Sequence, residues 1–382
     1  MRLANGIITG FLFLLLLNSC SSSRQLVQPQ AGIKALKFLG EYDIPYNFRY
    51  DSTTVGGLSG IDYDAAHNIY YLISDDRSDR NPARFYTAAI HISGSGIDSV
   101  RFTGVYYMHQ PEGDLYPNNK QDPYHTPDPE AIRYDALHHQ LVWSSEGERI
   151  VKQKDTILED PLIAVINTRG KFKDAYQLPA SLQMQAVEKG PRQNGVLEGM
   201  SFADNYRSLF VNVEEPLYED GPRAGLTESN AYIRILKFDA VTKTSIAQYA
   251  YKLSPIAWPA NPPDGFKING VPDILSIGPN KLLVIERSFS TGKMACSIKV
   301  FVADLSGATD VSAVTLAGNQ SFIPVTKKLL LNMDELGIYT DNIEGVTFGP
   351  CLPNGHRSLV FVADNNFSQL EKAQLLLFEI EE

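Results

Sequence analysis

Short apolar runs, separated by turn residues and ended by acids, recur along this chain. Three such stretches are LSGIDYDAAHNIYYLISDD, PEAIRYDALHHQLVWSSEGE and LEGMSFADNYRSLFVNVEE, which begin at Leu58, Pro129 and Leu197. Each contains a polar anchor, an apolar run, a turn with Asp, Asn or Gly, and a second run that ends in a carboxylate. Runs of this length bounded by turn residues are typical of strands, so each stretch predicts a β-hairpin.

Two further copies make the pattern an internal repeat. They are PDILSIGPNKLLVIERS from Pro272 and IEGVTFGPCLPNGHRSLVFVADNN from Ile343. The spacing between successive anchors is 71, 68, 75 and 71 residues, the anchors being Ser59, Glu130, Glu198, Asp273 and Glu344. A period this regular indicates one structural unit used five times.

Each of the first four copies is followed by two more strand-like runs, which in the fourth copy are CSIKVFVADL and VSAVTLA. The fifth copy has one, AQLLLFEIEE, and ALKFLGEYDIP from Ala35 can supply its missing partner. The repeat therefore predicts an all-β fold, a β-propeller of four-stranded blades closed by pairing of the N- and C-terminal strands. The repeat count indicates five blades, and a sixth built from loops and termini is the open alternative. LLLNMDEL from Leu329 is the best candidate for a short helix.

The first twenty residues predict export. Arg2 precedes the apolar run GIITGFLFLLLL, which is followed by a small residue and Cys20, as in a secretory signal. LNSC resembles a bacterial lipobox, so we expect residues 1–20 to be a lipoprotein signal peptide with Cys20 as the lipidation site. A signal peptide with an incidental Cys is the alternative. Residues 21–34 predict a flexible tether and residues 35–382 a single domain, anchored by lipid at the cell envelope, on the outer membrane or its periplasmic face.

Composition narrows the function classes. The chain is 43% hydrophobic, with 19 Tyr and 18 Phe, as expected for a globular protein rich in strands. Its net charge of -10 argues against nucleic-acid binding, which needs clustered positive charge. Cys296 and Cys351 are expected to be buried apolar residues rather than a disulfide pair.

The repeat predicts where acids converge. In a propeller the first strand of each blade lines the central channel, so the five anchors are expected at one level. The second strand runs back and is expected to place a terminal acid at the rim, at its far end, separate from the anchors: Asp75, Glu146, Glu214, Glu286 and Asp364. Buried carboxylates at close range need protons or cations, and oxygen ligands suit Ca²⁺ or another divalent cation. The alternative is that the anchors bind the backbone of the neighbouring blade.

Specific roles follow from these positions. We expect Glu130, Glu198 and Glu344 to be catalytic acids. Arg77 and Arg287, each beside a terminal acid, are candidates to bind a substrate anion through their guanidinium groups; surface ion pairs are the alternative. The candidate metal ligands are Asp273, Glu214, Glu286, Asp75 and Asp364. No G-x-S-x-G, H-E-x-x-H or complete P-loop occurs in the sequence.

The chain resembles the phytase-like family, described as having the esterase-like activity of phytase. The resemblance rests on GGLSGIDYD, YYLISDDRS, DPEAIRYD, LEGMSF, SLFVNVEEPL, LLVIERSFS and DNIEGVTFGP. It implies a likeness to six-bladed β-propeller phytases that use calcium to hydrolyse phosphate esters. The lysine-rich phosphate cluster of those enzymes is not evident in this chain.

Together these features predict an exported hydrolase that acts on phosphate or carboxylate esters with a divalent cation. The expected substrate is a small anionic ester, the expected state is a monomer, and membrane contact is expected only through the lipid. The alternative is a non-catalytic propeller that binds a ligand or partner at the cell envelope.

Overall fold

The computed structural model describes residues 32–318 and 321–382. The predicted signal peptide with Cys20, and the predicted tether up to residue 31, lie outside these described residues. The lipid anchor therefore stays a prediction.

The described chain is built of strands. In chain order they begin with β1 (Ala35–Ile44), β2 (Arg49–Tyr50), β3 (Thr53–Thr54), β4 (Leu58–Asp64), β5 (Ile69–Ser74), β6 (Arg84–Ser93), β7 (Gly96–Tyr107), β8 (Pro129–Asp135), β9 (Gln140–Ser145), β10 (Glu148–Val151), β11 (Thr156–Glu159), β12 (Leu162–Asn167) and β13 (Phe172–Ala175). The remainder are β14 (Leu197–Ala203), β15 (Ser208–Val213), β16 (Tyr232–Asp239), β17 (Thr244–Lys252), β18 (Lys267–Gly270), β19 (Ile274–Gly278), β20 (Lys281–Ser290), β21 (Ser297–Asp304), β22 (Thr326–Asn332), β23 (Asn342–Phe348), β24 (Ser358–Asp364) and β25 (Ala373–Glu381).

Five antiparallel sheets form the blades of a β-propeller, as the repeat predicts. Blade 1 is β4-β5-β6-β7, blade 2 is β8-β9-β12-β13, and blade 3 is β14-β15-β16-β17. Blade 4 is β19-β20-β21-β22, with β18 also paired to β20, and blade 5 is β23-β24-β25-β1. In blade 5 the N-terminal strand pairs with the C-terminal strand from Ala35 opposite Glu381 to Ile44 opposite Ala373. This pairing closes the ring and confirms the predicted role of the two termini.

Two local predictions in blade 4 are wrong. VSAVTLA is not a strand: Val311 and Leu316 pack on Ala250 between blades, and the carbonyl of Val311 accepts a hydrogen bond from Arg234. The outer strand is instead β22, which includes the first half of the predicted helix LLLNMDEL. Since the apolar residues of both segments fit either conformation, the contacts with neighbouring blades decide between them.

Helical structure in the described residues is limited to three single 3₁₀ turns, Ala180–Leu182, Tyr218–Asp220 and Met333–Glu335. Within the same residues, no helix has the length and apolar character needed to cross a membrane.

The hydrophobic core is divided among the contacts between neighbouring blades. Each of five large clusters combines residues of two adjacent blades; one joins Leu283 and Ile298 of blade 4 to Phe361 and Phe378 of blade 5. Cys296 belongs to this cluster, as predicted for a buried apolar residue. Cys351 is exposed and both thiols are free, so burial of Cys351 was the wrong prediction.

The innermost strands form the wall of a narrow channel, because each contacts the innermost strand of both neighbouring blades. Small residues directly after four of the five anchors permit this approach. A Cβ atom on Gly60 would lie 2.7 Å from the carbonyl oxygen of Glu130, and one on Gly199 would lie 2.5 Å from the Cα of Asp273. The glycines of the repeat therefore allow a ring of only five blades to close.

A buried ion pair lies in the middle of this channel. Arg133 of blade 2 donates from Nη2 to both carboxylate oxygens of Asp273 in blade 4, each at 2.7 Å. It also donates to the carbonyls of Met200 in blade 3 and Ile61 in blade 1. Asp273 in turn accepts from the backbone N–H of Val346 in blade 5 at 2.8 Å. This pair therefore connects all five blades.

Candidate functional site

Three acidic anchors are aimed into the channel by irregularities in the innermost strands. The pairing register shifts around Glu130 in β8, around Glu198 in β14 and around Glu344 in β23. A β-bulge bends its strand and redirects a side chain. All three carboxylates line one cavity at this end of the channel.

Three of the acids that end the second strands, Asp75, Glu146 and Glu214, line the same cavity as the anchors. The expectation that these acids lie at a separate rim is therefore wrong. Because β-hairpins are antiparallel, the end of each second strand lies beside the start of the first, as Ser145 pairs with Pro129 and Val213 pairs with Leu197. The residues that follow, Glu146 and Glu214, therefore enter the cavity beside the anchors. Its volume is about 540 Å³, within the usual range for small-molecule sites.

The cavity is strongly acidic. Its lining includes nine carboxylates but only two basic side chains, Arg287 and Lys293. The nine are Asp75, Asp128, Glu130, Glu146, Glu198, Glu214, Asp341, Glu344 and Glu371.

Three groups of carboxylates are close enough to share a cation. In each group the ligand oxygens lie within 4.8 Å of one another. The groups are Asp75, Glu344 and Asp364; Asp128, Glu130 and Glu146; and Glu146, Glu198 and Glu214. Glu146 belongs to two of the groups, so together they form a nearly continuous acidic surface from blade 5 through blade 1 to blade 3.

Burial and mutual repulsion favour protonation of these acids. Burial, more than repulsion by the neighbouring acids Glu148 and Glu344, raises the pKa of Asp128 to about 7. Burial raises the pKa of Glu146 to about 8. Burial, followed by the charges of Glu146 and Glu214, raises the pKa of Glu198 well above its ordinary value. The carboxylate oxygens of Glu146 and Glu198 lie within 4.8 Å of each other. In place of protons, a cation would neutralise the same charge.

Asp364 supplies a second indication of a missing partner. Its side chain is completely buried, and its Oδ2 has no hydrogen-bond donor. Burial, followed by repulsion from Glu344, raises the pKa of this carboxyl well above its ordinary value. A buried carboxylate oxygen without a donor is costly, and a hard cation held with Asp75 and Glu344 would satisfy it. These residues therefore fit a divalent cation.

The two predicted anion-binding arginines both contact carboxylates. Arg287 lines the cavity and donates to Glu344 and, at 2.8 Å, to Glu214. Arg77 lies behind the cavity wall, where it pairs with Glu148 and lies 3.5 Å from Asp128. Burial by itself would lower the pKa of Arg287, but attraction to Glu344 and Glu214 outweighs it. The pKa of Arg287 is therefore raised above its ordinary value, and the side chain stays charged.

Three residues of the predicted acidic pattern lie elsewhere. Asp273 is paired with Arg133 and is not part of the cavity lining. Glu286 accepts from Lys327, from Tyr251 Oη at 2.8 Å and from other donors at the interface of blades 3 and 4. Ser59 donates to the carbonyl of Glu130 at 2.7 Å. It therefore binds the backbone of the neighbouring blade, which was the alternative role for the anchors.

The adjacent acids Glu214 and Glu215 have different surroundings. Glu214 faces the cavity, whereas Glu215 points away and pairs with Arg223 at 2.7 Å. Burial, and then the charge of Glu214, raises the pKa of Glu215 to about 7.

Two cavity residues that precede the anchors were not among the predicted site residues. Asp128 and Asn342 each lie two positions before an anchor, and both line the cavity. Asn342 donates to Glu344 at 2.8 Å and accepts from Arg287 at 2.6 Å, so it orients both. A comparison of the five copies at this position could have found them, because the other three residues there are apolar or glycine.

The family is established by comparison with family models. The phytase-like model, described as esterase-like activity of phytase, matches residues 53–367. The chain therefore belongs to this family, as the motifs indicated. A search of curated proteins finds no match.

Several solved structures resemble the chain at low identity. A gluconolactonase from Xanthomonas campestris is 10% identical, with a TM-score of 0.37, covering 93% of this chain and 99% of its own. A GH43 β-1,3-galactosidase is 10% identical, with a TM-score of 0.43 and coverage of 89% and 95%. An endo-1,4-β-xylanase from Bacteroides thetaiotaomicron is 12% identical, with a TM-score of 0.39 and coverage of 90% and 91%.

Proposed function

We propose that this member of the phytase-like family is a divalent-cation-dependent hydrolase of phosphate or carboxylate esters, and that its active site is the acidic cavity. The observation that carries the proposal is the convergence of carboxylates from four blades on one cavity of small-molecule size. The description of the family, esterase-like activity of phytase, supports the same class of reaction.

Two parts of the acidic surface are suited to hold the cation. One is the group around the buried Asp364, and the other is the pair of groups that share Glu146. Ca²⁺ is the expected ion because it is bound by several oxygen ligands, and each group offers several carboxylate oxygens. When bound, a divalent cation polarises the ester oxygen and stabilises negative charge that develops on it.

The protein side chains would transfer the proton and bind the substrate. With the cation in the group around Asp364, Glu146 and Glu198 would hold a proton near neutral pH, because the pKa of Glu146 is raised to about 8 and that of Glu198 is raised as well. This pair could then donate the proton to the leaving oxygen of the ester. Arg287 is the cavity's buried cation and would face the anionic oxygen of the substrate. Arg77, behind the wall, would position Asp128 rather than touch substrate.

We also propose that the protein acts as a monomer, held at the cell envelope by lipid on Cys20. The support is the lipobox-like LNSC and the apolar run before it. Labelling of the full-length protein with a radioactive fatty acid tests this, with Cys20→Ala as the control that should lose the label.

Calorimetric titration with Ca²⁺ is the first test of the site. The protein should bind Ca²⁺, and Glu198→Gln should weaken that binding at least about tenfold because a ligand oxygen and a charge are lost. Asp135→Asn is the matched control: it removes one charge from the far end of a first strand, outside the cavity lining. Equal binding by all three proteins would contradict the proposed site.

Hydrolysis of p-nitrophenyl phosphate and p-nitrophenyl acetate is the second test. We expect turnover that a chelator abolishes and that Glu198→Gln lowers by about 100-fold or more, the usual effect of losing a general acid or base. Ca²⁺ binding without hydrolysis of either ester would instead support a non-catalytic propeller that binds a ligand.

A further inference from the structure

One side of the acidic cavity is apolar. Blade 4 contributes Phe266, Ile268, Phe289 and Met294 to the lining, and the loop between β24 and β25 contributes Leu370. These five residues are called the apolar wall. The carboxylates of blades 1, 2 and 3 lie in the same cavity, so any ligand there meets both surfaces.

Three of the five residues of the apolar wall have exposed side chains. Met294 is 79% exposed, Leu370 is 81% exposed and Phe266 is 55% exposed. Side chains this exposed contribute little to the core, and large exposed apolar residues gathered around one polar cavity are typical of a ligand-binding site.

An extension of blade 4 builds this wall. Strand β20 continues for four residues beyond Glu286, where it pairs with β18 instead of β19. This pairing places Phe289 opposite Ile268, and the rings of Phe266 and Phe289 lie 6.2 Å apart. In blades 1, 2 and 3 the second strand ends directly before its acid.

The turn that carries Met294 is also held in place. Tyr339, which lines the cavity, donates from its hydroxyl to the carbonyl of Met294 at 2.8 Å. The exposed methionine is therefore part of a positioned loop beside the acids.

We infer that the substrate carries an apolar acyl or aryl group, which lies on the apolar wall while its ester group faces the carboxylates. This inference rests on the proposed hydrolase function for the ester, but the apolar part of the ligand follows from the wall alone. A polyphosphorylated polyol would fit poorly, because it offers no apolar surface to the wall.

Binding of a neutral fluorescent probe, N-phenyl-1-naphthylamine, tests the wall without the need for catalysis or cation. We expect saturable binding by the wild-type protein and about tenfold weaker binding by Phe266→Ser and by Leu370→Ser, since each removes an apolar contact. Val241→Ser is the matched control, because Val241 is 73% exposed but lies outside the cavity lining.

Displacement of the probe by primary alcohols from butanol to octanol then measures the length of the apolar group. Each methylene that contacts the wall should strengthen displacement by up to about fourfold, and this gain should shrink in Phe266→Ser. Inositol hexakisphosphate should not displace the probe.

The outcomes separate this inference from the proposed hydrolase. Probe binding that Phe266→Ser and Leu370→Ser leave unchanged, or no gain with alcohol length, would overturn the inference. So would a concentration-dependent dimer that both substitutions dissociate, because a second copy would then occupy the wall. Glu198→Gln should keep probe binding, so a failure of Ca²⁺ binding or ester hydrolysis would count against the hydrolase alone.

Discussion

Blades 3 and 4 carry acids at the same repeat positions, but the acids face the cavity only in blade 3. In blade 3 the anchor Glu198 and the terminal acid Glu214 both face the cavity. In blade 4 the corresponding Asp273 and Glu286 are withdrawn into ion pairs with Arg133 and with Lys327.

The consequence is a cavity with two unlike sides. Blade 4 places Arg287 and Phe289 in the lining, one and three residues beyond the acid that it withdraws. The carboxylates of the other blades thus face a wall that is basic and apolar. A repeat position therefore sets where a side chain begins, while contacts made elsewhere in the fold decide whether its charge is available.

The strongest test of this contrast is the stability of two charge-neutralising variants. In a chelator, Asp273→Asn should lower the free energy of unfolding by about 4 kcal/mol, because it leaves Arg133 buried without a partner. Glu198→Gln should leave the free energy unchanged or raise it, because it removes repulsion among buried acids. Denaturant unfolding of both variants measures the difference.

Equal destabilisation by the two substitutions would break the comparison. It would mean that Glu198 is held by structural contacts of the same kind as those of Asp273.

A smaller effect is expected from pH. The pKa values of Asp128 and Glu146 are raised to about 7 and about 8 in the folded protein, above the ordinary range near 4 of the unfolded chain. Between the pKa of the unfolded chain and that of the folded protein, the folded state therefore binds more protons than the unfolded state. The free energy of unfolding should fall as pH rises from about 5 to about 8. We expect about 3 kcal/mol of this loss between about pH 6.5 and about pH 8 in chelator, measured by denaturant unfolding.

Two controls sharpen the pH experiment. Saturating Ca²⁺ should reduce the loss, because the cation replaces the protons, and Glu146→Gln should reduce it without cation. A free energy of unfolding that is constant or rises over this pH range would show that the pKa values of these acids are not raised in the folded protein.

The smallest effect concerns blade 1, where the anchor is not an acid. Ser59→Ala should lower the free energy of unfolding by about 1 kcal/mol, because a buried hydrogen bond to the carbonyl of Glu130 is lost. Calorimetry should find Ca²⁺ affinity within about twofold of the wild-type value, since Ser59 is outside the cavity lining and its hydroxyl donates to backbone carbonyls. A larger loss of affinity would place Ser59 in the site.

The propeller itself was predictable from the chain. The five copies, their spacing and the spare strand at each end predict the four-stranded blades and the closure, because hairpin formation and strand pairing follow from local pattern and turn residues. The structure decided for five blades over the alternative of six. The meeting of anchors with terminal acids also follows from antiparallel pairing, although we predicted a separate rim for the terminal acids. The outer strand of blade 4 was not predictable in this way, since the apolar residues of VSAVTLA and of β22 look alike until packing distinguishes them.

By itself the sequence determined that acids recur at equivalent positions in a ring of blades. Only the tertiary structure decided which of them remain available, because Arg133 reaches Asp273 across 140 positions of chain and Lys327 reaches Glu286 from an outer strand. The same holds for the apolar wall, where Phe266 and Leu370 come from different blades. Such contacts depend on how the blades pack around the channel. The spacing of a repeat carries no information about which side chain of another strand or blade each residue will contact.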